Sequence, residues 1–247
     1  MRKDITTVIV IPCYNEANRI DRQAFVDFSK ENPTIAFLFV NDGSRDNTLE
    51  VLSELTHNQA NLHLLNLEQN GGKAEAVRRG MLHANNTLSP KYIGFWDADL
   101  ATPLNEIPIF TEWIQKEDYE IVTGLRLMRL GAKVVRKKSR HYFGRIFATV
   151  TANLLKISVY DTQCGAKLYK SEIVPVLFEE KFTTRWLFDV ELLARYIRQF
   201  GSQAAKEKIY EYPVFSWGDI QGSQLKIKDF VKAPLELLKI KRRYLKK

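Results

Sequence analysis

Short, almost wholly apolar runs alternate with longer amphipathic ones along the first hundred residues. Residues 6–12, carrying TVIVIP, form a nearly unbroken β-branched run, the pattern of a strand buried on both faces in a parallel sheet. Residues 36–40 (AFLFV), 62–67 and 92–96 repeat it. Between them lie helical patterns. Ile20, Ala24, Phe25 and Phe28 fall on one face of a helix over 20–29 that Pro33 closes. Leu49, Leu52 and Leu55 mark a second helix over 46–55, with Asp46 or Asn47 as its cap. Asn70, Gly71, Gly72 and Lys73 open a third that runs to about residue 83. Successive β-α units of this kind predict an α/β fold with a mainly parallel sheet.

The pattern then changes. Pro103 opens a further helix, with Asp99 or Thr102 as N-cap. A helix from 185 to about 197 aligns Phe188, Leu192 and Tyr196, and residues 208–214 (KIYEYPV) alternate as a strand that Pro213 assigns to a sheet edge. The tail, about 226–244, sets Phe230, Leu237, Leu238, Ile240 and Tyr244 among dense lysines. That is the pattern of a basic, amphipathic interfacial helix, or of a helix packed on the domain with a solvated face. We therefore expect a catalytic domain over 1–224 and a basic C-terminal helix over 225–247.

Composition narrows the class. The chain has 247 residues, 45% of them hydrophobic and 27% charged, enough for one substantial core. No apolar run approaches the roughly 18 residues a bilayer span needs, and the N-terminal MRKDITTVIVIPCYNE carries no cleavage site, so a cytoplasmic location is expected. Cys13 and Cys164 make no disulfide framework, and His57, His63, His83 and His141 show no ligand spacing. The net charge of +8 is unevenly placed. Residues 225–247 hold nine Lys/Arg against two acids, and 121–160 hold nine Lys/Arg and no acid. Basic faces of this kind attract phosphates, anionic lipid or nucleic acid. Nucleic acid is disfavoured because no aromatics interleave with the lysines of 133–140.

Four acids fall at carboxyl ends of predicted strands: Glu16, Asp42, Asp97 and Asp99. Ligands of open α/β sheets sit at that edge, and Asp-x-Asp there is suited to hold a divalent cation against a phosphate-bearing ligand. The alternative is a capped strand end. Gathered carboxylates repel unless a cation or a set of donors sits among them. The loop ending at Lys73 is no P-loop, lacking its upstream glycine and the Ser/Thr after lysine. Lys73 is a ligand contact or a plain helix opener. Gly131 and the surrounding charge predict a basic loop that moves until ligand arrives.

The segments IPCYNE, VNDGS, NGGKAEAVRRG and WDADLATP, in this order, resemble the nucleotide-sugar half of glycosyltransferase family 2, with its GT-A (Rossmann-like) fold. DTQCGAKLY (161–169), RWLFDVELL (185–193) and WGDIQGSQL (217–225) resemble, more narrowly, the polyprenyl-phosphate branch that contains the dolichyl-phosphate β-glucosyltransferases and mannose synthases, the glucosyl members being nearer. The resemblance covers nearly the whole chain.

It implies that Pro12, Tyr14 and Glu16 line the nucleobase and ribose pocket, that Asp42 binds base or ribose, and that Lys73 lies beside them. It implies further that Asp97 faces the ribose and that Asp99 holds Mg²⁺ or Mn²⁺ on the diphosphate. Arg126 matches the arginine following the fifth strand of this branch, and with Arg136 and Arg140 it would guide an acceptor phosphate. Asp189 matches the family's base position, or else pairs with Arg185; Asp161 orders the loop or an acceptor-site arginine. Ala166 and Leu125 depart from the branch pattern, which bears on the acceptor.

The expected activity is inverting, metal-dependent transfer of a hexose from a nucleotide sugar, UDP-glucose before GDP-mannose, to a polyprenyl phosphate at the cytoplasmic membrane face. Either the basic tail or a membrane-anchored partner would hold the protein there. The alternatives are a saccharide hydroxyl acceptor with Asp189 as base, and a non-enzymatic phosphate- or nucleic-acid-binding module.

Overall fold

The computed structural model describes residues 4–135, 138–218 and 227–245, with the backbone alone for 138–141 and 227–231. In chain order the elements are β1 (Thr7–Cys13), α1 (Arg22–Glu31), β2 (Ile35–Asp42), α2 (Thr48–Thr56), β3 (Leu62–Leu67), α3 (Lys73–Thr87), β4 (Tyr92–Trp96), α4 (Glu106–Lys116) and β5 (Ile121–Leu125). There follow β6 (Lys133–Val135), α5 (Lys138–Leu155), β7 (Ala166–Lys170), a 3₁₀ turn (Ser171–Ile173), α6 (Val174–Phe178), α7 (Phe188–Lys208), β8 (Ile209–Pro213), β9 (Ser216–Gly218) and α8 (Ile227–Tyr244). The fold is α/β. Seven strands form a sheet in the order β3-β2-β1-β4-β7-β5-β8, and β6 and β9 form a separate pair. The β1–β2, β1–β4, β2–β3, β5–β8 and β6–β9 pairs all run parallel.

The chain divides into two compact units. The first comprises Met1–Leu100 and Leu168–Lys181. Its core follows from the uninterrupted apolar runs: Val8 to Ile11 and Ala36 to Val40 are fully buried, as strands covered on both faces must be. Phe25 of α1 sets its ring edge-on to Phe37 and Phe39, at 5.1 and 5.0 Å between centroids. Asp21 caps α1 by accepting from the Ala24 N–H at 3.0 Å, so the helix starts at Arg22, slightly later than its apolar spacing indicates. The returning segment is tied to β4, since Ser171 donates its N–H to Lys91 O and its hydroxyl to Pro90 O.

The second unit comprises Ala101–Lys167 and Phe182–Lys247. Here β8 ends the sheet beside β5, as the proline in its pattern indicates. Phe110 and Trp113 of α4 meet Tyr212 and Tyr210 of β8 at 5.4 and 4.7 Å. Three expectations are corrected. Pro103 does not itself open a helix: residues 103–105 form a turn, and α4 begins at Glu106 with Asn105 in the N-cap position. The acid-free stretch is largely not a loop, because β6 and the 18-residue α5 occupy it. The helix expected from residue 185 starts instead at Phe188, and Gly201 (φ 88°) divides it.

Candidate functional site

In the first unit the parallel register brings the carboxyl ends of β1, β2, β3 and β4 to one edge; Cys13 pairs with Asn41, and Asp42 with Leu67. The chain order doubles back at β1, since β2 and β3 lie on one side of it and β4 on the other. That is a topological switch point, where the loops leaving two adjacent strands diverge and open a crevice. The loop after β1 carries Tyr14 and Glu16, and the loop after β4 carries Asp97 and Asp99. Each also holds one non-glycine residue in the left-handed region, Asn15 (φ 55°) and Leu100 (φ 54°). For Leu100 that conformation is costly, and it persists where surrounding structure enforces it.

The rim is held from below. Asn15 exchanges hydrogen bonds with Ser44 and Arg45, and the Glu16 N–H donates to Thr48 Oγ1 at 2.8 Å, which fixes the β1 loop to the β2 loop. Asp42, buried at the end of β2, accepts from the Gly71 and Gly72 N–H groups at 2.8 Å each and from Asn70 Nδ2 at 2.9 Å. Its carboxylate thereby shapes the glycine loop that opens α3. Lys73, the first residue of α3, forms an ion pair with Asp97.

Glu16 reports the electrostatics of this rim. Burial pushes its carboxyl up, Arg19 at 3.3 Å pulls it back, and the charges of Asp99, Asp46 and Asp97 raise it further. Among the described residues its buried Oε2 has no hydrogen-bond partner. The Glu16 carboxyl is raised mainly by its own burial, with Asp99, Asp46 and Asp97 close enough to add to it, and acids gathered at this distance are a setting in which a cation is favoured. Among the described residues no group of three or more His, Cys, Asp or Glu side chains is arranged to hold a metal. One or two carboxylates are the number that Mg²⁺ takes from a protein when substrate phosphates complete its shell, and the loop after β4 carries two, Asp97 and Asp99. The donor set fits such an ion.

The second unit holds a separate cluster. Arg126, just beyond β5, is gripped in a two-point fork by Asp161: Nε to Oδ2 at 2.6 Å and Nη2 to Oδ1 at 2.8 Å. Its guanidinium also lies over the Trp217 ring at 5.1 Å. Asp161 is itself positioned by Glu211, which accepts the Tyr160 and Asp161 N–H groups. Burial raises the Glu211 carboxyl, the N–H donors from Asp161 and Tyr160 lower it, and the Asp161 charge raises it again. Arg136 lies outside the described residues. Arg140 falls within the backbone of α5, its side chain outside them.

Asp189 is buried on the first turn of α7, and its partner is Lys167 of β7, Nζ to Oδ1 at 2.7 Å. Lys167 also donates to the carbonyls of Thr162 and Cys164. The expected pairing of Asp189 with Arg185 does not form, because Arg185 is exposed and precedes the helix, so it is not a turn below Asp189. Glu191 is fully buried as well. It accepts from the N–H and hydroxyl of both Thr183 and Thr184, from Arg195 and from the Tyr244 hydroxyl. Sequence reasoning did not single out Lys167 or Glu211; the signal was present in each as a charge flanked by apolar or aromatic residues inside a strand, AKLYK and IYEYP, where it has to find a partner.

Similarity to known proteins identifies the family and the fold. Residues 8–178 match the model of glycosyl transferase family 2. A dolichyl-phosphate beta-glucosyltransferase of Trichomonas vaginalis is 33% identical over 96% of this chain and 71% of its own length. The Saccharomyces cerevisiae protein of that name is 30% identical over 98% of this chain and 76% of its own, and the human one 28% over 96% and 75%. Among solved structures, glucosyl-3-phosphoglycerate synthase of Mycobacterium tuberculosis in complex with UDP superposes with a TM-score of 0.68 at 16% identity, over 95% of this chain and 79% of that one. The same enzyme with Mn²⁺, UDP and glucosyl-3-phosphoglycerate gives 0.68 at 15%, over 97% and 80%. With the strand-end carboxylates in place on a GT-A sheet, the chain belongs to glycosyltransferase family 2 and is a glycosyltransferase.

Proposed function

We propose that this enzyme transfers glucose from UDP-glucose to a polyprenyl phosphate, with inversion and with the help of a divalent cation. The observation that carries the donor half is the gathering of Glu16, Asp97 and Asp99 at the β1/β4 switch point, close enough for the charges of Asp99 and Asp97 to act on the Glu16 carboxyl. The UDP, UDP-glucose and Mn²⁺ or Mg²⁺ complexes of the structural neighbour support a uridine donor and a metal. The names of the curated relatives support glucose and a polyprenyl phosphate.

Asp99, with Asp97, would hold the metal, which when bound offsets charge on the departing nucleoside diphosphate. Pro12, Tyr14 and Glu16 line the nucleoside side. Asp42 acts through the glycine loop it holds, and Lys73 keeps Asp97 oriented. In the reaction an acceptor phosphate oxygen bonds to the anomeric carbon as the bond from that carbon to the diphosphate breaks, its electron pair leaving on UDP. A phosphate with its second pKa near about 6 is already a nucleophile at neutral pH and needs no base. The Lys167 ion pair supports this. A buried carboxylate committed to a lysine is poorly suited to take a proton, so Asp189 positions the 162–164 turn. Arg126, oriented by Asp161, is the acceptor-phosphate cation, with Arg136 and Arg140 as further candidates.

The test combines thermal shift with transfer. UDP with Mn²⁺ should raise the melting temperature, GDP should not, and Asp99→Ala should remove the shift. Radiolabelled glucose should pass to polyprenyl phosphate and not to soluble glycan. Equal shifts for Asp99→Ala and wild type would remove the metal assignment, and labelling of soluble glycan alone would remove the acceptor.

A further inference from the structure

Both basic stretches of the chain form helices, and the two helices turn their apolar sides in opposite directions. In α8 the apolar positions Ala233, Leu237, Ile240 and Tyr244 are buried, and Tyr244 bonds to Glu191 of α7. The interfacial pattern read from the tail is thus used largely for packing. In α5 the buried side is made by Ala148, Thr151 and Leu155, Phe147 is half-buried against Trp186, and four other large apolar residues face out: Tyr142 is 67% exposed, Phe143 62%, Ile146 62% and Val150 47%. Their spacing places them within roughly 100° of one another around the helix. Exposed side chains of Arg129, Lys133, Arg145 and Lys156 come from the same stretch, and 121–160 contains no acid to offset them. Arg145 is held over the Tyr160 ring at 4.6 Å, at the margin of the apolar stripe.

We propose that the outward face of α5 is a membrane-docking surface and that its occupant is an anionic phospholipid bilayer. The choice of occupant rests on charge complementarity: apolar side chains that enter the acyl boundary are accompanied by cations from a stretch, 121–160, that contributes no carboxylate of its own. Among the described residues no helix is long and apolar enough to cross a membrane. The proposal deepens the reading of a polyprenyl phosphate acceptor, whose phosphate lies at a bilayer surface, by assigning the element that meets that surface. Its test requires no sugar transfer, so the two readings fail separately.

The full chain is sedimented with phosphatidylcholine vesicles with and without phosphatidylglycerol. Wild type should bind the anionic vesicles preferentially and leave them at high salt. Ile146→Ser combined with Val150→Ser should weaken the partition roughly tenfold or more with unchanged melting temperature, because both side chains are solvent-facing. Leu235→Ser combined with Leu238→Ser, on the exposed side of α8, should bind like wild type. An Ile146→Trp variant should show a blue-shifted added emission when anionic vesicles are supplied. The proposal is overturned if wild type ignores anionic vesicles, if the α5 pair binds undiminished, if the α8 pair is the one that releases, or if the emission added by Ile146→Trp stays put. It is equally overturned if the α5 pair converts a wild-type dimer to a monomer with no vesicle binding by either, since the face would then cover a second copy.

Discussion

Glu191 shows how one acid is made structural. Burial alone would raise its carboxyl, but the donors from Thr183 and Tyr244 and the charge of Arg195 outweigh that, and the net shift is downward from 4.5. A lowered carboxyl contributes stability that is fully present above 4.5 and is lost as pH falls through the lowered value. Replacing it by alanine removes the carboxylate paired with the buried Arg195, a loss of about 3–5 kcal/mol at neutral pH. In urea melts the gap between wild type and Glu191→Gln should narrow as pH drops below 4.5; a gap independent of pH would show that the charge is not what stabilises. Gly43 makes a second case. It sits at φ +59° at the turn after β2, where a Cβ would come 2.6 Å from Asn70 N. Gly43→Ala therefore combines left-handed strain with a push on the glycine loop, costing about 1–3 kcal/mol, and UDP binding measured by calorimetry should weaken along with stability.

At the level of elements, the helix that follows the glycine loop is positioned by a missing side chain. A Cβ on Gly80 of α3 would press into Val10 Cγ1 and stand 2.8 Å from Val40 Cγ2, both inside the sheet. Alanine gains about 1 kcal/mol of helix propensity but overpacks a rigid contact, typically 1–3 kcal/mol. Gly80→Ala should thus unfold at lower urea; a stabilised variant would mean that the helix shifts freely over the strands. The strands themselves were legible because Val8 to Ile11 and Ala36 to Val40, covered on both faces, leave no polar position to confuse the pattern. The helix α5 was hidden by its charge: reading the cations as a loop passed over Phe143, Phe147, Val150 and Leu154, which keep helical spacing. For the candidate site, the strand pattern placed Glu16, Asp42, Asp97 and Asp99 at strand ends, and parallel topology brings those ends to one edge. What stayed unreadable was pairing. Lys167 meets Asp189 across 22 residues and Glu211 meets Asp161 across 50, and nothing local announces either.

Across the whole molecule, each set of candidate ligands is built from residues of one compact unit. Glu16, Asp42, Lys73, Asp97 and Asp99 belong to the first; Arg126, Asp161, Lys167 and Asp189 belong to the second. Substitutions that share no partners act independently, so donor binding and acceptor binding should be separable by mutation. Asp161→Asn is the decisive variant. It keeps the size of the side chain but weakens the charged fork that orients Arg126, a difference of about 1.5–3 kcal/mol for a hydrogen bond to a charged group. On that basis kcat/KM for polyprenyl phosphate should fall by roughly 10- to 100-fold, while the UDP and Mn²⁺ thermal shift stays at its wild-type size. Asp99→Ala should do the reverse and lose the shift first. If Asp161→Asn instead lost the nucleotide shift together with turnover, the two clusters would be coupled, and Arg126 would have to be counted on the donor side.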